Sequence, residues 1–219
     1  LGATLPLERQ QPSPYYASSR RFTSPLYLRV ESVLGADLAA DQVARAAAAG
    51  RELTSRRRID RDAVWALKLS ALDAIWDEVR DAQVVRESLA AVDGDDVLSA
   101  HATFCALVEH HGSGWSTWPV GHRHPARAEV RSFREQHADR VDFWRWIQVE
   151  CDVQLAHASS TGAGLMGDLP VGFDPDGSDA WIDQDDLALG CRVGAPPDDL
   201  GPSGQDWGLP PYVPWKLRG

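Results

Sequence analysis

An acidic residue inside a short apolar segment is the first candidate for chemistry in this sequence. Asp168 lies in GLMGDLPVG among Met166, Leu169 and Val171, a pattern typical of a short buried strand. A carboxylate near the end of such a strand needs partners or solvent, since burial otherwise raises its pKa. In α/β barrels, polar residues at that end of a strand usually belong to the active site. The local pattern fits equally well a turn aspartate that precedes Pro170.

Two loops carry aromatic and polar side chains suited to a sugar. The segment VGAPPDDLGPSGQDWG, residues 193–208, places Asp198, Gln205 and Trp207 between glycines and prolines. Sugar rings have apolar C–H faces and a rim of hydroxyls, so an indole face beside amide and carboxylate groups can bind them. Tyr15, in SPYYASSRRF, can stack on a ring and donate to a hydroxyl. The alternatives are that Trp207 only packs its loop onto the protein and that Tyr15 packs beside solvated arginines.

Charge and composition exclude several classes of function. The net charge of −10 disfavours nonspecific binding to nucleic acid or to anionic membranes, so neither is expected as a partner. No apolar run reaches the ~18 residues of a membrane span, and LGATLPLERQQ lacks the features of a signal peptide. Three widely separated cysteines predict reduced thiols and a cytoplasmic protein.

No motif in the sequence predicts a metal or a cofactor. His111, His122 and His124 have no cysteine or acidic partner at zinc-like spacing, which favours a surface loop. The segment DPDGSDAW, residues 174–181, spaces its acids like a calcium loop but lacks the length and the final glutamate of an EF-hand. It predicts instead a solvated turn that caps a short helix. Nucleophile elbows, phosphate loops and dinucleotide fingerprints do not occur.

The elements that would position these residues are mostly helical. One helix is predicted to end at Gly50, and a second to begin at Asp60 or Asp62 and to present one apolar face. A third covers DVLSAHATFCALVEHHG, and residues 124–158 predict two more. Alternating apolar residues at 26–30 predict a strand, as does GLMGDLPVG. A helix, a tight loop, a strand and a polar loop in succession indicate an α/β fold.

Three segments, taken together, resemble a known family. They read SPYYASSRRFTSPLYLRVE, FWRWIQVECDVQLAHA and GLMGDLPVGFDPDGSDAWIDQDDLALGCRVGAPPDDLGPSGQDWGLPPY, in that order. By these segments the chain is identified as a member of the amylomaltases, the 4-alpha-glucanotransferases of glycoside hydrolase family 77. The resemblance covers nearly the whole chain. It implies a fragment of a (β/α)8 TIM barrel with an inserted helical subdomain, mostly α-helical over this sequence.

The resemblance also implies boundaries along the chain. Residues 1–30 would be the loop and strand that follow the second barrel strand. Residues 31–125 would be the inserted helical subdomain. Residues 126–219 would hold a barrel helix, the third barrel strand and a lid loop over the active site.

The same resemblance implies the roles of the candidate residues. Asp168 would end the third barrel strand and bind the sugar next to the scissile bond. Gln205 and Trp207 would touch the glucan from the lid loop that also carries Asp198, and Tyr15 would line the cleft. The implied partners are maltooligosaccharides and other α-1,4-glucans, with no cofactor.

The family chemistry is retaining transglycosylation, in which an aspartate nucleophile and a glutamate acid/base act in turn. Segments like those that carry the nucleophile, the acid/base and the third carboxylate do not occur before Gly219. We therefore expect an internal piece of the enzyme that supplies substrate contacts and has no transferase activity alone. The alternatives are a non-catalytic α-glucan-binding domain and a helical scaffold without a ligand.

Overall fold

The computed structural model describes residues 2–7, 9–162, 164–199 and 201–217. The α-helices within these residues are α1 Ala40–Thr54, α2 Arg61–Val79, α3 Gln83–Ala90, α4 Asp96–His111, α5 Ala128–Gln136, α6 Ala138–Ser160 and α7 Ser178–Ile182. The strands are β1 Gly2–Ala3, β2 Ser19–Thr23, β3 Val193–Ala195 and β4 Gln205–Leu209. Short 3-10 turns occupy Pro25–Tyr27, Val30–Ser32, Trp115–Thr117, Val120–His122 and Gln184–Asp186. The prediction of a mostly α-helical chain is confirmed.

The core is built around α6, which packs against α3, α4 and β2. Trp146 and Ile147 of α6 are fully buried, as are Phe104 and Leu107 of α4. Burial of each such side chain contributes on the order of 1.5–3 kcal/mol. Because α7 packs against both α4 and β2, the same core extends to β2. The helical core therefore supports the loops that carry the candidate site.

Three predictions about helices are confirmed. Asp60 caps α2, since its Oδ1 accepts a hydrogen bond from the amide of Ala63 at 3.0 Å. The apolar face of α2 is buried at Trp65, Leu72, Ile75, Trp76 and Val79. The region 124–158 contains two helices, α5 and α6, which are separated at His137.

The predicted end of the first helix at Gly50 is wrong. Helix α1 continues to Thr54, and the backbone cap comes from the amide of Ser55, which donates to Glu52 and Leu53 carbonyls. A glycine cap takes a positive φ, which Gly50 does not have. Gly50 is thus an interior helical glycine on an open surface.

The predicted strand at residues 26–30 is also wrong. Pro25 begins a 3-10 turn that Ser24 caps, and a second 3-10 turn begins at Val30. Lys68 of α2 donates to the carbonyls of Leu26 and Leu28 at 2.5 and 2.7 Å, which satisfies backbone groups that a sheet would otherwise pair. The strand in this region lies earlier, at β2.

The segment GLMGDLPVG does not form the predicted buried strand. Its residues 164–170 have no regular secondary structure, and Met166 is fully exposed. The strands that the structure describes pair elsewhere, β1 antiparallel with β2 and β3 antiparallel with β4. A strand needs a hydrogen-bonded neighbour, and no described strand pairs with this segment.

Candidate functional site

The structure brings together Tyr15 and Asp168, which are 153 residues apart in sequence. The Tyr15 hydroxyl donates to Asp168 Oδ2 at 3.0 Å. This hydrogen bond and the negative charge of Asp168 raise the pKa of the tyrosine. Both side chains are exposed, so the carboxylate keeps acceptor sites directed to solvent.

The other three predicted residues lie on one exposed hairpin formed by β3 and β4. The Trp207 indole N–H donates to Gln205 Oε1 at 2.9 Å, which orients the indole beside the amide. Asp198 Oδ1 accepts from the amide of Gly201 at 2.6 Å. A Cβ built on Gly201 would lie 3.4 Å from Asp198 Oδ1 and 3.9 Å from Gln205 Nε2, so both polar groups face the same turn.

The two groups of residues meet through their neighbours. A Cβ built on Gly208 of β4 would lie 3.4 Å from the Tyr16 hydroxyl, and one on Gly172 would lie 3.0 Å from Leu209 Cβ. Gly208 has φ +71°, a conformation that favours glycine. In the described part of the chain, no hydrogen bond joins Tyr15 or Asp168 to the hairpin. Their convergence on one ligand therefore stays a prediction.

Arg20 holds the segment that carries Asp168. Its Nη1 donates to the carbonyls of Pro170 and Val171, each at 3.2 Å. The guanidinium carbon also lies 5.4 Å from the Phe173 ring centroid, within cation–π distance. Two charge-assisted hydrogen bonds just after Asp168 fix a backbone that has no strand partner. The alternative in which the arginines near Tyr15 are only solvated is therefore wrong for Arg20.

A buried carboxylate fixes Arg20 in turn. Asp179 is 1% exposed and accepts from Ser19 Oγ at 2.7 Å and from the backbone amide of Arg20 at 2.8 Å. Burial raises the pKa of Asp179, and these two hydrogen bonds oppose that rise. The predicted short helix is confirmed as α7, but residues 178–181 are buried rather than solvated, because the Asp179 carboxylate bonds α7 to β2.

A second buried contact attaches α7 to the helical core. His101 Nδ1 and Ser178 Oγ lie 2.8 Å apart, and the ring of Phe22 stacks on His101 with centroids 4.2 Å apart. Burial lowers the pKa of His101 to about 3, so the imidazole is neutral at physiological pH. The Ser178 amide also donates to Ser18 Oγ at 3.0 Å. Helix α7 is thus hydrogen-bonded both to α4 and to the residues at the start of β2.

The histidine-rich loop after α4 is only partly a surface loop. Trp115 and Trp118 are buried, and His111 Nε2 lies 2.7 Å from His122 Nδ1. Burial lowers the pKa of both histidines. No group of three or more His, Cys, Asp and Glu side chains in the described residues could hold a metal ion. None of the described helices is both long and apolar enough to cross a membrane.

Three residues around the site have structural roles that the sequence pattern did not indicate. Arg20 and Asp179 support the Asp168 segment, and Tyr16 lies under the hairpin. The polar, glycine-containing sequence around Asp179 is typical of a solvated turn, and it carries no signal that the carboxylate is buried. The arrangement offers exposed acceptors, amide and hydroxyl donors and an indole face, which together suit a ligand rich in hydroxyl groups.

Comparisons with known proteins give a consistent result. The sequence model of a family described as 4-alpha-glucanotransferase matches residues 1–219. The 4-alpha-glucanotransferase of Mycobacterium tuberculosis strain H37Rv is 41% identical over 234 residues, covering 99% of this chain and 31% of that protein. That of Haemophilus influenzae is 31% identical, covering 94% of this chain and 33% of that protein.

Solved structures resemble the fold. The crystal structure of amylomaltase from Corynebacterium glutamicum has a TM-score of 0.77 and 34% identity, covering 99% of this chain and 30% of that one. Amylomaltase from Streptococcus agalactiae in complex with acarbose has a TM-score of 0.74 at 16% identity, covering 96% of this chain and 44% of that one. The chain thus spans about a third of the length of the curated relatives that it matches over most of its length.

Proposed function

Because the chain belongs to the 4-alpha-glucanotransferase family, we propose that it supplies substrate-binding parts of an enzyme that transfers α-1,4-glucan segments between maltooligosaccharides. The observation that carries the proposal is the hydrogen bond between Tyr15 and Asp168. It joins, from distant parts of the sequence, two of the residues that the family resemblance assigns to one cleft.

In this proposal, Asp168 binds hydroxyl groups of the sugar next to the scissile bond. Its carboxylate accepts from Tyr15 through one oxygen, which leaves further acceptor sites for the ligand. Hydrogen bonds to a charged group contribute about 1.5–3 kcal/mol each, enough to orient a pyranose ring. Arg20 is a positioning residue, because it fixes the backbone two and three residues after Asp168.

The β3–β4 hairpin acts as the lid over that sugar. Its Trp207 supplies an apolar face, and Gln205 and Asp198 supply polar groups at the same end of the hairpin. A lid that excludes water favours transfer of the glycosyl unit to a second glucan over hydrolysis. The hairpin lies close to the Asp168 segment, since Leu209 packs on Gly172.

The whole enzyme would use a retaining double displacement, with its nucleophile and acid/base in the part of the relatives' length that this chain does not span. Residues 164–170 would then be the third barrel strand. The exposure of the apolar side chains of Met166 and Leu169 supports this assignment, because a strand buried between neighbours carries such residues. The boundaries at residues 30 and 125, the cytoplasmic location and the absence of nucleic-acid and membrane partners stay predictions.

Titration with maltoheptaose, followed by tryptophan fluorescence, tests substrate binding by the chain. We expect a saturable change that Trp207→Ala abolishes and that Trp215→Ala retains, since Trp215 is 76% exposed and outside the hairpin. Asp168→Asn should weaken binding by about tenfold or more, because it removes a charged acceptor, whereas Asp199→Asn, which removes the same charge from the loop of the hairpin, should not. A folded chain that shows no change, or an equal loss in both tryptophan variants, would contradict the proposal.

Transferase assays separate the enzyme from a binding domain. The chain alone is expected to release no glucose from maltotriose above the blank. The same chain within a protein of the relatives' full length should release glucose, and Asp168→Asn should reduce the rate there. Binding without any activity in that longer protein would favour the non-catalytic α-glucan-binding domain.

A further inference from the structure

A cluster of arginines lies outside the candidate glucan site, at the connection between α1 and α2. Residues 56–61 read RRRIDR, in a chain whose net charge is −10. The structure places Arg56, Arg58 and Arg61 on a cleft of about 490 Å³, together with Arg9 from the N-terminal segment. Two separate parts of the chain thus bring positive charge to one concave surface.

The acidic residues at this cleft are already occupied. Asp60 caps α2 through Oδ1 and accepts from Arg56 Nη1 through Oδ2 at 2.7 Å. Asp62 Oδ1 accepts from the backbone amide of Gln10 at 2.7 Å. The guanidinium groups of Arg9, Arg58 and Arg61 have no hydrogen-bond or ion-pair partner among the described residues.

The walls of the cleft are fixed with respect to each other. The Gln10 side chain is 5% exposed and donates to the carbonyls of Leu5 and Leu7 at 3.1 and 2.6 Å. Its backbone amide is held by Asp62 at the start of α2. Arg9 therefore faces α2 from a backbone that is attached to it, which lowers the ordering cost of binding a ligand between them.

We propose that this cleft binds the phosphate group of a small phosphomonoester. Guanidinium groups match phosphate oxygens with paired N–H donors, and the four arginines and two aspartates that line the cleft give it a net charge of +2, which balances one phosphate dianion. Ile59 lines the same cleft with 74% of its surface exposed, a contact for the organic part of an ester. The overall negative charge disfavours a long polyanion such as RNA, which would contact acidic surface beyond the cleft.

The organic part of the ester has room beside the phosphate. A second cleft, of about 260 Å³, shares Pro12, Ile59 and Arg61 with the first. It continues to Ser13 and Pro14, which directly precede Tyr15 in the sequence. The ligand would thus lie next to the loop that carries Tyr15, without using any residue of the proposed glucan site.

Calorimetric titration of the chain with inorganic phosphate and with glucose 6-phosphate, at an ionic strength of about 0.15 M that screens charges outside the cleft, tests the proposal. We expect saturable binding of both, with Arg58→Gln and Arg61→Gln each weakening it by about tenfold. Arg57→Gln is the matched control, because it removes the same charge from the same loop and Arg57 does not line the cleft. Its effect should stay below about twofold.

Several results would overturn the phosphate site. They are the absence of saturable heat up to about 10 mM of either probe, an equal loss in the Arg57 variant, and tighter binding of a single-stranded oligonucleotide than of glucose 6-phosphate. The variants change exposed side chains, and helical circular dichroism equal to that of the unaltered chain must accompany each measurement. Binding of maltoheptaose by these variants reports on the glucan site separately.

Discussion

Replacement of Asp174 by asparagine should stabilise the protein at neutral pH. Asp174 lies in the turn before α7, where its amide donates to the Ala17 carbonyl at 2.8 Å and its Oδ1 accepts from the Asp176 amide at 2.9 Å. Burial raises the pKa of Asp174 from the usual 3.8 to about 6, and the charge of Asp176 adds to the rise. The fold therefore holds this carboxylate ionised at a cost.

The size and the sign of the effect follow from that pKa. A rise from 3.8 to about 6 corresponds to at most about 3 kcal/mol, at 1.36 kcal/mol for each pKa unit. Because the folded-state pKa is the higher one, the folded protein binds more protons than the unfolded chain between about pH 4 and pH 6. The free energy of unfolding thus falls as the pH rises through this window and stays low above it.

Asparagine keeps the acceptor oxygen for the Asp176 amide and carries no charge. We expect Asp174→Asn to raise the free energy of unfolding by about 1–3 kcal/mol at about pH 7.5 and to give no gain at about pH 4. Urea denaturation across that range measures the difference, with the exposed Asp37→Asn as the control. A gain that does not depend on pH, or a loss at neutral pH, would refute the reasoning.

Three further substitutions test the packing that supports the site. Gly177→Ala would place a Cβ 2.4 Å from the Ser18 carbonyl oxygen and should cost about 1–3 kcal/mol in urea denaturation. Gly50→Ala in exposed α1 meets no atom within 4 Å and should instead add about 0.5–1 kcal/mol; equal effects of the two changes would contradict the packing argument. Arg140→Met removes the cation that bonds carboxylates on α2 and α4. It should lower the urea midpoint by an amount equivalent to about 1–3 kcal/mol. An unchanged midpoint would show that those ion pairs do not contribute to stability.

The helices could be predicted from the sequence because their signals are local. Asp60 and the apolar face of α2 lie within one segment, and the start of the helix follows from them. The strands could not be predicted in the same way. GLMGDLPVG has the composition of a buried strand, but pairing depends on a neighbour elsewhere in the chain, and the described residues provide none.

The candidate site could likewise be predicted from the sequence only in part. The residue types suggested a sugar contact at Tyr15 and either an active-site carboxylate or a turn residue at Asp168, yet composition could not show that the two side chains meet, because 153 residues separate them. The role of Asp179 was missed for a related reason. Its string of polar neighbours is typical of a solvated turn, and only packing of α7 against β2 and α4 buries it.

The buried network around Asp179 explains how a segment without a strand partner can hold Asp168, the proposed binding residue, in place. Asp179 fixes the Arg20 backbone, and the Arg20 side chain fixes the carbonyls that follow Asp168. The Arg20 side chain bonds backbone carbonyls, so it leaves the exposed carboxylate of Asp168 and the side chain of Tyr15 available to a ligand. A site needs its supporting groups held and its contact groups open, and here separate residues meet the two requirements. Substitution of Arg20 should consequently disturb the geometry of Asp168 more than the stability of the helical core, which packs without it.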